Sequence, residues 1–238
     1  MPYNFLEIYD YENSILNCKK ICSYFDRMES SHPQKENEIL LTSKNEELLV
    51  AVVDDAAKKT NKNSGLAYFN KRRKKICSTR SFNFGEDWPC NEIIYSFIHR
   101  SVSSYVKKYP YLTQKNKSSY WRLCPSYNIQ RYVGKEEGFF NLHDENSGSH
   151  PYRMLVWMVY LNDAKCGTEF PYQDKTVTPK AGRTVTWPAG WTHPHKGVTP
   201  NQGTKYIATG WFYFLPSGNE PQFDGHHPDE ENIKEIVV

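Results

Sequence analysis

The sequence predicts a mainly β protein with flanking helices, built on a double-stranded β-helix core of the jelly-roll or cupin type. From Trp121 onward, short runs of β-branched and aromatic residues alternate with turns over about 95 residues, the size of one such core. Aromatic residues make up 15% of the chain, which suits a core of strand-favouring Tyr, Phe and Trp. Ahead of this block, apolar residues recur at helical spacing instead.

Two helices are predicted ahead of the β block. Residues 12–28 and Glu92–Tyr109 both repeat apolar positions every three or four residues, and Pro110 ends the second helix. Residues 3–9 fit a short strand. Residues 47–58 fit either a further helix or a strand, because their apolar run is too short to separate the two.

The strands of the β block are predicted from alternation and from the turn residues between them. They cover residues 126–132, 153–161, 175–179, 182–188 and 205–215. We therefore expect a helical and mixed support region at 1–118, packed on a catalytic core at 119–216, and a polar tail at 217–238.

Charge and composition exclude several classes of protein. A formal net charge of +3 with 24% charged residues gives no case for binding nucleic acid or a membrane surface. No apolar run is long enough to span a bilayer, and the first residues lack the basic start and apolar stretch of a secretory signal. The six cysteines are scattered without a CxxC, which is typical of reduced thiols, so we expect a cytoplasmic location.

Three residues have the types that a ferrous centre needs. His143 and Glu145 are two apart, so on an extended chain they point the same way. His195, in a later segment, supplies a second imidazole, although His193 competes for that role. Two imidazoles and one carboxylate leave three metal positions open, which is typical of non-haem Fe(II) oxygenases, whereas a structural zinc site closes four.

Lys205 has the type and the position to anchor a dicarboxylate co-substrate. Such a molecule needs a fixed, buried cation at its far end. On a strand, Lys205, Ile207, Thr209 and Trp211 fall on one face. A lysine considered alone is more often solvated, so this assignment depends on its neighbours.

Several motifs occur in the order seen in prolyl-4-hydroxylase-like 2-oxoglutarate oxygenases, and the stretch from Tyr127 to Phe214 resembles that family. The segment YNIQRYVGKEEGFFNLHDE resembles the family's strand that carries a Tyr and leads to a His-x-Asp/Glu motif. The segment RMLVWMVYLND resembles the family's strand that begins with Arg and ends in Tyr-Leu-Asn. CGTEF resembles the Gly-Gly-x-x-Phe turn. His195 precedes Lys205 by ten residues, the interval of the distal His and the basic residue. Glu145 stands where many relatives have Asp.

The resemblance implies an Fe(II)- and 2-oxoglutarate-dependent dioxygenase that uses O2, with ascorbate as an optional addition, and that hydroxylates a proline of a peptide or protein. By the same resemblance, His143, Glu145 and His195 bind the iron and are the catalytic residues. Lys205 and Tyr160 bind the far carboxylate of 2-oxoglutarate, and Tyr132 contacts the co-substrate near the metal. Arg153 and Trp211 contact the substrate.

Other functions remain open at the level of the sequence. The same oxygenase chemistry could act on a free amino acid, another protein side chain or a nucleobase. A non-catalytic jelly-roll binding module and a cupin-type isomerase are candidates from other classes, because this fold has many functions. An isomerase does not need Lys205 in its present place.

Overall fold

The computed structural model describes residues 4–11, 14–31, 66–70, 75–114, 121–147, 150–199 and 202–214. The predictions for residues 47–58 and for the tail at 217–238 lie outside these ranges. Three helices are described, namely α1 (Ile15–Ser31), α2 (Asn91–Lys108) and the short α3 (Tyr111–Gln114). None of these described helices has both the length and the hydropathy needed to cross a bilayer.

Eleven strands are described, and they confirm a mainly β chain. They are β1 (Glu7–Tyr9), β2 (Leu66–Asn70), β3 (Lys75–Asn83), β4 (Trp121–Val133), β5 (Gly138–Phe139), β6 (Arg153–Tyr160), β7 (Gly167–Phe170), β8 (Lys175–Val177), β9 (Thr184–Pro188), β10 (Lys196–Val198) and β11 (Thr204–Phe214).

The strands form two antiparallel sheets, between which the chain alternates. The large sheet has the order β1-β9-β6-β11-β4-β3-β2, with β5 also pairing with β3, and the small sheet has the order β10-β7-β8. After β6 in the large sheet, β7 and β8 lie in the small one, β9 returns, β10 leaves again, and β11 returns. This alternation is the winding of a double-stranded β-helix, so the predicted fold class is confirmed.

The large sheet is buried on both faces. The helices cover one face, where Phe25 of α1 and Ile98 of α2 pack in a cluster with Trp157 of β6. The small sheet covers the other face, where Met158 of β6 packs in a cluster with Phe170 of β7. Burial on both sides explains the continuous apolar run of β6, and each large side chain contributes roughly 1.5–3 kcal/mol of stability.

The sequence missed strands where the pattern of apolar residues is weak. Residues 59–90, which we expected to be mixed, contribute the hairpin β2–β3 to the large sheet. In β3 the inward positions include Arg80, which is buried against Glu29 at 3.3 Å, so the strand does not look apolar. The strands β5, β7 and β10 are short and each contains a glycine. β4 begins at Trp121, five residues earlier than predicted.

The region at 1–118 is joined to the core through the sheet itself. Strand β1 pairs with β9, and β3 pairs with β4. Its helices cover the outer face of the same sheet. The division at 118/119 therefore stays a prediction about domains and does not coincide with a break in the sheet.

Candidate active site

The backbone brings His143 and His195 together outside the regular strands. The His143 N–H donates to His195 O at 3.0 Å, and the His195 N–H donates to His143 O at 2.9 Å. The Glu145 N–H donates to Ala189 O at 2.9 Å. Because residues facing each other in an antiparallel bridge project to the same side, both imidazoles reach one point, and Glu145, two residues on, joins them.

Three ligand atoms converge at that point. Glu145 Oε1 lies 3.7 Å from His143 Nε2 and 3.5 Å from His195 Nε2, and the three atoms all lie within 4.8 Å of one another. Cis ligands with bonds of about 2.1 Å stand roughly 3 Å apart, so a small inward movement would place all three on one ion.

The other ring nitrogens leave these atoms free to bind a metal. His143 Nδ1 faces Asn141 O at 2.9 Å, and His195 Nδ1 faces His193 O at 3.2 Å. A nitrogen that faces a carbonyl carries a proton, so in each neutral ring Nε2 is the nitrogen left to bind a metal. With both rings neutral, three acceptors converge, and they repel one another unless a cation lies between them. The donor set therefore fits a divalent metal with open positions.

The environment favours the protonation states that metal binding needs. Burial raises the pKa of Glu145, but hydrogen bonds and charge from His143 and His195 outweigh it and hold that pKa well below its usual range. Burial lowers the pKa of His143. The carboxylate is thus ionised and this imidazole is neutral, as ligands must be.

His193 does not share this point, which separates it from His195. Its Nδ1 lies 2.9 Å from Thr192 Oγ1, and its Nε2 lies 2.7 Å from Asn4 O. Both ring nitrogens therefore have partners, and the ring ties the N-terminal segment to the loop after β9. Of the two histidines that competed as distal ligand, the structure brings His195 to Glu145.

The second oxygen of Glu145 faces Arg153 and Trp211. Oε2 accepts from Trp211 Nε1 at 3.1 Å and from an Arg153 guanidinium nitrogen at 3.3 Å. The guanidinium carbon lies 3.5 Å from the centre of the Trp211 ring. Both residues line the same cavity as the three ligands. Sequence reasoning assigned them to the substrate and missed their contact with the carboxylate.

Lys205 is a buried cation at another part of this cavity. Its side chain is only 3% exposed, and Nζ has one long hydrogen bond, to Gly167 O at 3.4 Å. Burial lowers its pKa. No carboxylate among the described residues forms an ion pair with it, and an uncompensated buried charge costs several kcal/mol. The position therefore suits one carboxylate of a diacid.

The cavity that joins these groups has a volume of about 210 Å³. The predicted face of β11 lines it, with Lys205, Ile207, Thr209 and Trp211 all at its wall. Sequence reasoning did not single out several further lining residues, which are Lys75, Asn128, Gln130, Phe139, His150, Met158, Thr168, Trp187 and Gly197. Tyr132 was assigned from the family resemblance, and the period of two along β4 puts Asn128 and Gln130 on the same face as Tyr132, so that signal was available.

Phe139 was missed because no local pattern marks it. Its ring stacks on that of His143, with centroids 3.5 Å apart and an interplanar angle of 13°. The ammonium of Lys75 lies 5.2 Å from the Phe139 centroid. The stack limits the rotation of the His143 ring and so helps to fix a ligand atom.

The two predicted tyrosines differ in their relation to the cavity. Tyr132 lines it opposite Lys205 in the β4–β11 register, and its hydroxyl donates to Gln130 Oε1 at 2.6 Å. Tyr160 is not among the lining residues; its hydroxyl lies 2.7 Å from Thr168 Oγ1 and 3.1 Å from Val177 O. Thr168 thus stands between Tyr160 and the cavity.

The described geometry can be compared with known proteins. A family model described as "2OG-Fe(II) oxygenase superfamily" matches residues 127–213, which include the three converging ligands, Lys205 and Trp211. No curated protein matches the chain.

Solved structures similar to this chain include three prolyl hydroxylases. A viral collagen prolyl hydroxylase from Paramecium bursaria Chlorella virus-1 is 14% identical, with 88% of this chain and 95% of that one covered and a TM-score of 0.47. A Pseudomonas putida prolyl-4-hydroxylase is 15% identical, with 69% and 84% covered and a TM-score of 0.45. A Trichoplax adhaerens prolyl hydroxylase, solved with a hypoxia inducible factor peptide fragment, is 17% identical, with 86% and 94% covered and a TM-score of 0.44.

Proposed function

We propose that this chain is an Fe(II)- and 2-oxoglutarate-dependent dioxygenase that uses O2 and hydroxylates a proline residue of a peptide or protein. The match of residues 127–213 to the model of the 2OG-Fe(II) oxygenase superfamily supports this proposal. Iron is held by His143, Glu145 and His195. The convergence of these three ligand atoms in one cavity with an unneutralised buried lysine is the observation that carries the proposal.

The bound iron, 2-oxoglutarate and O2 supply an oxidant that inserts one oxygen atom into a C–H bond, while 2-oxoglutarate loses CO2 and becomes succinate. The chain supplies binding and orientation. Lys205 pairs with the far carboxylate of 2-oxoglutarate through a charge-assisted hydrogen bond, which is stronger in a dry cavity than in water.

Two further groups orient the co-substrate. Thr168 lines the cavity and hydrogen-bonds to Tyr160, so we assign direct contact with the far carboxylate to Thr168 and assign Tyr160 to holding the threonine rotamer. Tyr132 packs its ring against the Lys205 ammonium, at 4.7 Å, and limits the positions that this ammonium can take. The same walls exclude water from the oxidant.

Three exposed apolar side chains that lie close in sequence to residues of the site, which we call the rim, support a peptide as the substrate. Leu142 is 50% exposed beside His143, Tyr152 is 57% exposed beside Arg153, and Trp191 is 74% exposed in the loop that leads to His195. Exposed apolar groups beside a site mark an interaction surface. Aromatic faces suit proline-rich segments, whose extended backbone costs little entropy to bind.

The test is hydroxylation of peptides by the full chain with Fe(II), 2-oxoglutarate, O2 and ascorbate. Proline-containing peptides and matched peptides with Pro→Ala are compared by mass spectrometry, for the gain of one oxygen atom, and by succinate release. We expect both signals with proline only. Oxidation of the alanine peptides or of free amino acids instead would overturn the assignment to proline, and absence of iron binding and of succinate would favour a binding module.

Variants of the rim separate peptide binding from chemistry. Trp191→Ala should raise the KM for peptide while 2-oxoglutarate turnover without peptide stays unchanged. Tyr111→Ala is the matched control, because Tyr111 is 68% exposed on α3, a helix that contains none of the site residues. Equal effects of the two variants on peptide KM would contradict the role of the rim.

A further inference from the structure

Glu145 has more freedom at a metal than the shorter aspartate would have. Its extra methylene adds a rotatable bond, and a carboxylate can bind a metal through one oxygen or through both. Binding through both oxygens would fill a coordination position that a centre of two histidines and one carboxylate needs to keep open. A longer ligand at this position therefore creates a need for a group that restrains its second oxygen.

The structure contains two donors directed at that second oxygen. Trp211 Nε1 lies 3.1 Å from Glu145 Oε2, and an Arg153 guanidinium nitrogen lies 3.3 Å from it. The first oxygen, Oε1, is the one that faces both imidazoles. The carboxylate is thus divided, with one oxygen toward the ligand cluster and one toward these donors.

We propose that Arg153 and Trp211 are positioning residues that hold Glu145 Oε2 away from iron, so that Glu145 binds through Oε1 alone. This proposal rests on the proposed function, since it assumes a metal at His143, Glu145 and His195. It gives Arg153 and Trp211 a task in the protein without substrate, in addition to any contact with substrate.

Arg153 and Trp211 are themselves held in place by further contacts. One Arg153 nitrogen donates both to Glu145 Oε2 and to Glu145 O, each at 3.3 Å, so it restrains the side chain relative to its own backbone. The guanidinium carbon lies over the Trp211 ring, 3.5 Å from its centre, and this contact restrains the side chain that carries the donors. Arg153 begins β6 and Trp211 lies on β11, and these strands pair directly.

The indole hydrogen bond of Trp211 is not a general feature of buried tryptophans in this chain. Trp157 Nε1 and Trp187 Nε1 are also buried, and neither has a hydrogen-bond partner in the described residues. The chain therefore tolerates unpaired indole donors at other buried positions. At Trp211 the donor meets a carboxylate that ligates the metal.

The test uses Co(II) with 2-oxoglutarate as a spectroscopic probe in the full chain. Two imidazoles, one carboxylate oxygen and chelating 2-oxoglutarate would fill five positions of Co(II), and the sixth would stay exchangeable, holding water or added azide, unless a second carboxylate oxygen occupied it. Trp211→Phe keeps a ring under Arg153 but removes the donor. We expect the change in visible absorption that azide causes per bound Co(II) to fall by about twofold or more, with Co(II) still bound.

A second variant and a control guard against a general loss of structure. Arg153→Gln removes the charge at a side chain that is 20% exposed, and we expect the same spectral change as for Trp211→Phe. Trp157→Phe loosens the opposite face of the sheet without touching Glu145, and its spectrum should match that of the unmodified chain. Thermal unfolding of all three proteins is followed in parallel.

The outcomes separate this proposal from the proposed function. Unchanged spectra for Trp211→Phe and Arg153→Gln, with changes only in peptide KM, would overturn the positioning role and leave the oxygenase intact. A spectral change in Trp157→Phe of the same size would also overturn it. Failure of the unmodified chain to bind Co(II) would instead overturn the metal site itself.

Discussion

The two charged parts of the cavity are built in opposite ways. At the metal ligands, each polar atom has a partner: both imidazoles have a carbonyl behind them, and both oxygens of Glu145 face donors or ligand atoms. At Lys205, a buried ammonium has one long hydrogen bond and no carboxylate partner among the described residues. The ligand cluster is held in place before its metal arrives, whereas the lysine lacks its counter-ion until an anion binds.

This difference implies different costs in the protein without ligands. The cluster of acceptors is stabilised by the cation, and its surroundings restrain it. Lys205 is destabilising on its own, because burying an ammonium without a counter-ion costs several kcal/mol. Substitutions should therefore reduce function at both places, but replacement of Lys205 should in addition raise the stability of the protein without ligands, and the following experiments test this.

The largest effect is expected at the ligand cluster. His195→Ala should weaken binding of Co(II) by more than about 100-fold and abolish succinate release. A residue that binds the metal directly contributes more to metal affinity than the groups that hydrogen-bond to it. Metal titration followed by visible absorption measures this. The matched control is His193→Gln, which should keep metal affinity within a few fold and cost about 1 kcal/mol of stability through its lost hydrogen bonds. Equal losses of metal affinity in both variants would reverse the assignment of the distal ligand.

The next largest loss of function is expected at Lys205, together with a gain in stability. Lys205→Met should raise the Kd for 2-oxoglutarate by about 10- to 150-fold, since a hydrogen bond to a charged group contributes about 1.5–3 kcal/mol. The same variant should unfold at a higher denaturant concentration in the absence of ligand, because an apolar chain of similar length replaces an unpaired charge. Calorimetry and urea unfolding measure the two. A less stable Lys205→Met protein would contradict the contrast drawn above.

The pH dependence of 2-oxoglutarate binding should reflect the burial of Lys205. Burial lowers the pKa of Lys205 below its usual value of about 10.4. Because binding needs the ammonium form, the affinity for 2-oxoglutarate should stay at its maximum around neutral pH and fall as the pH rises through the lowered pKa. In the same window the unfolded chain binds more protons, so this group makes stability rise with pH. In Lys205→Arg the affinity for 2-oxoglutarate should not change with pH over this range, because arginine stays protonated. An affinity that stays constant up to the ordinary lysine pKa would show that the ammonium is not desolvated.

The smallest effect is expected behind the lysine. Thr168→Val should raise the Kd for 2-oxoglutarate by about 2- to 10-fold, as a neutral hydrogen bond contributes roughly 0.5–1.5 kcal/mol. Tyr160→Phe should have a smaller effect, because its hydroxyl acts through Thr168. Titrations of the two variants under the same conditions decide this. A larger effect for Tyr160→Phe than for Thr168→Val would return the direct contact to Tyr160.

Periodicity predicted which face each residue lies on. The alternation of β11 placed Lys205, Ile207, Thr209 and Trp211 on one wall, and the structure agrees. The spacing of His143 and Glu145 brought two ligand types to one side, and the resemblance to a family supplied the distal His195. The first two of these features depend only on the period of two in extended chain, which the sequence contains, whereas His195 needed the resemblance.

The contacts between individual side-chain atoms could not be predicted, because they depend on rotamers and on segments far apart in the sequence. Tyr160 lies on β6, within the predicted strand at 153–161, but its hydroxyl meets Thr168 on β7, a strand too short to predict. The contact of Arg153 and Trp211 with Glu145 joins three segments far apart in sequence. The buried Arg80 hid β3, because its partner Glu29 lies on a helix that precedes it by about fifty residues.

Strand β11 also fixes where a basic residue can stand on this wall of the cavity. Lys205 and Trp211 both line the wall, separated along the strand by about 20 Å at the usual rise of an extended chain. Inward-facing positions on the strand recur only every second residue, about 7 Å apart. Moving the lysine by one residue along β11 should therefore turn it away from the cavity, and moving it by two should keep it facing inward but about 7 Å from its present place.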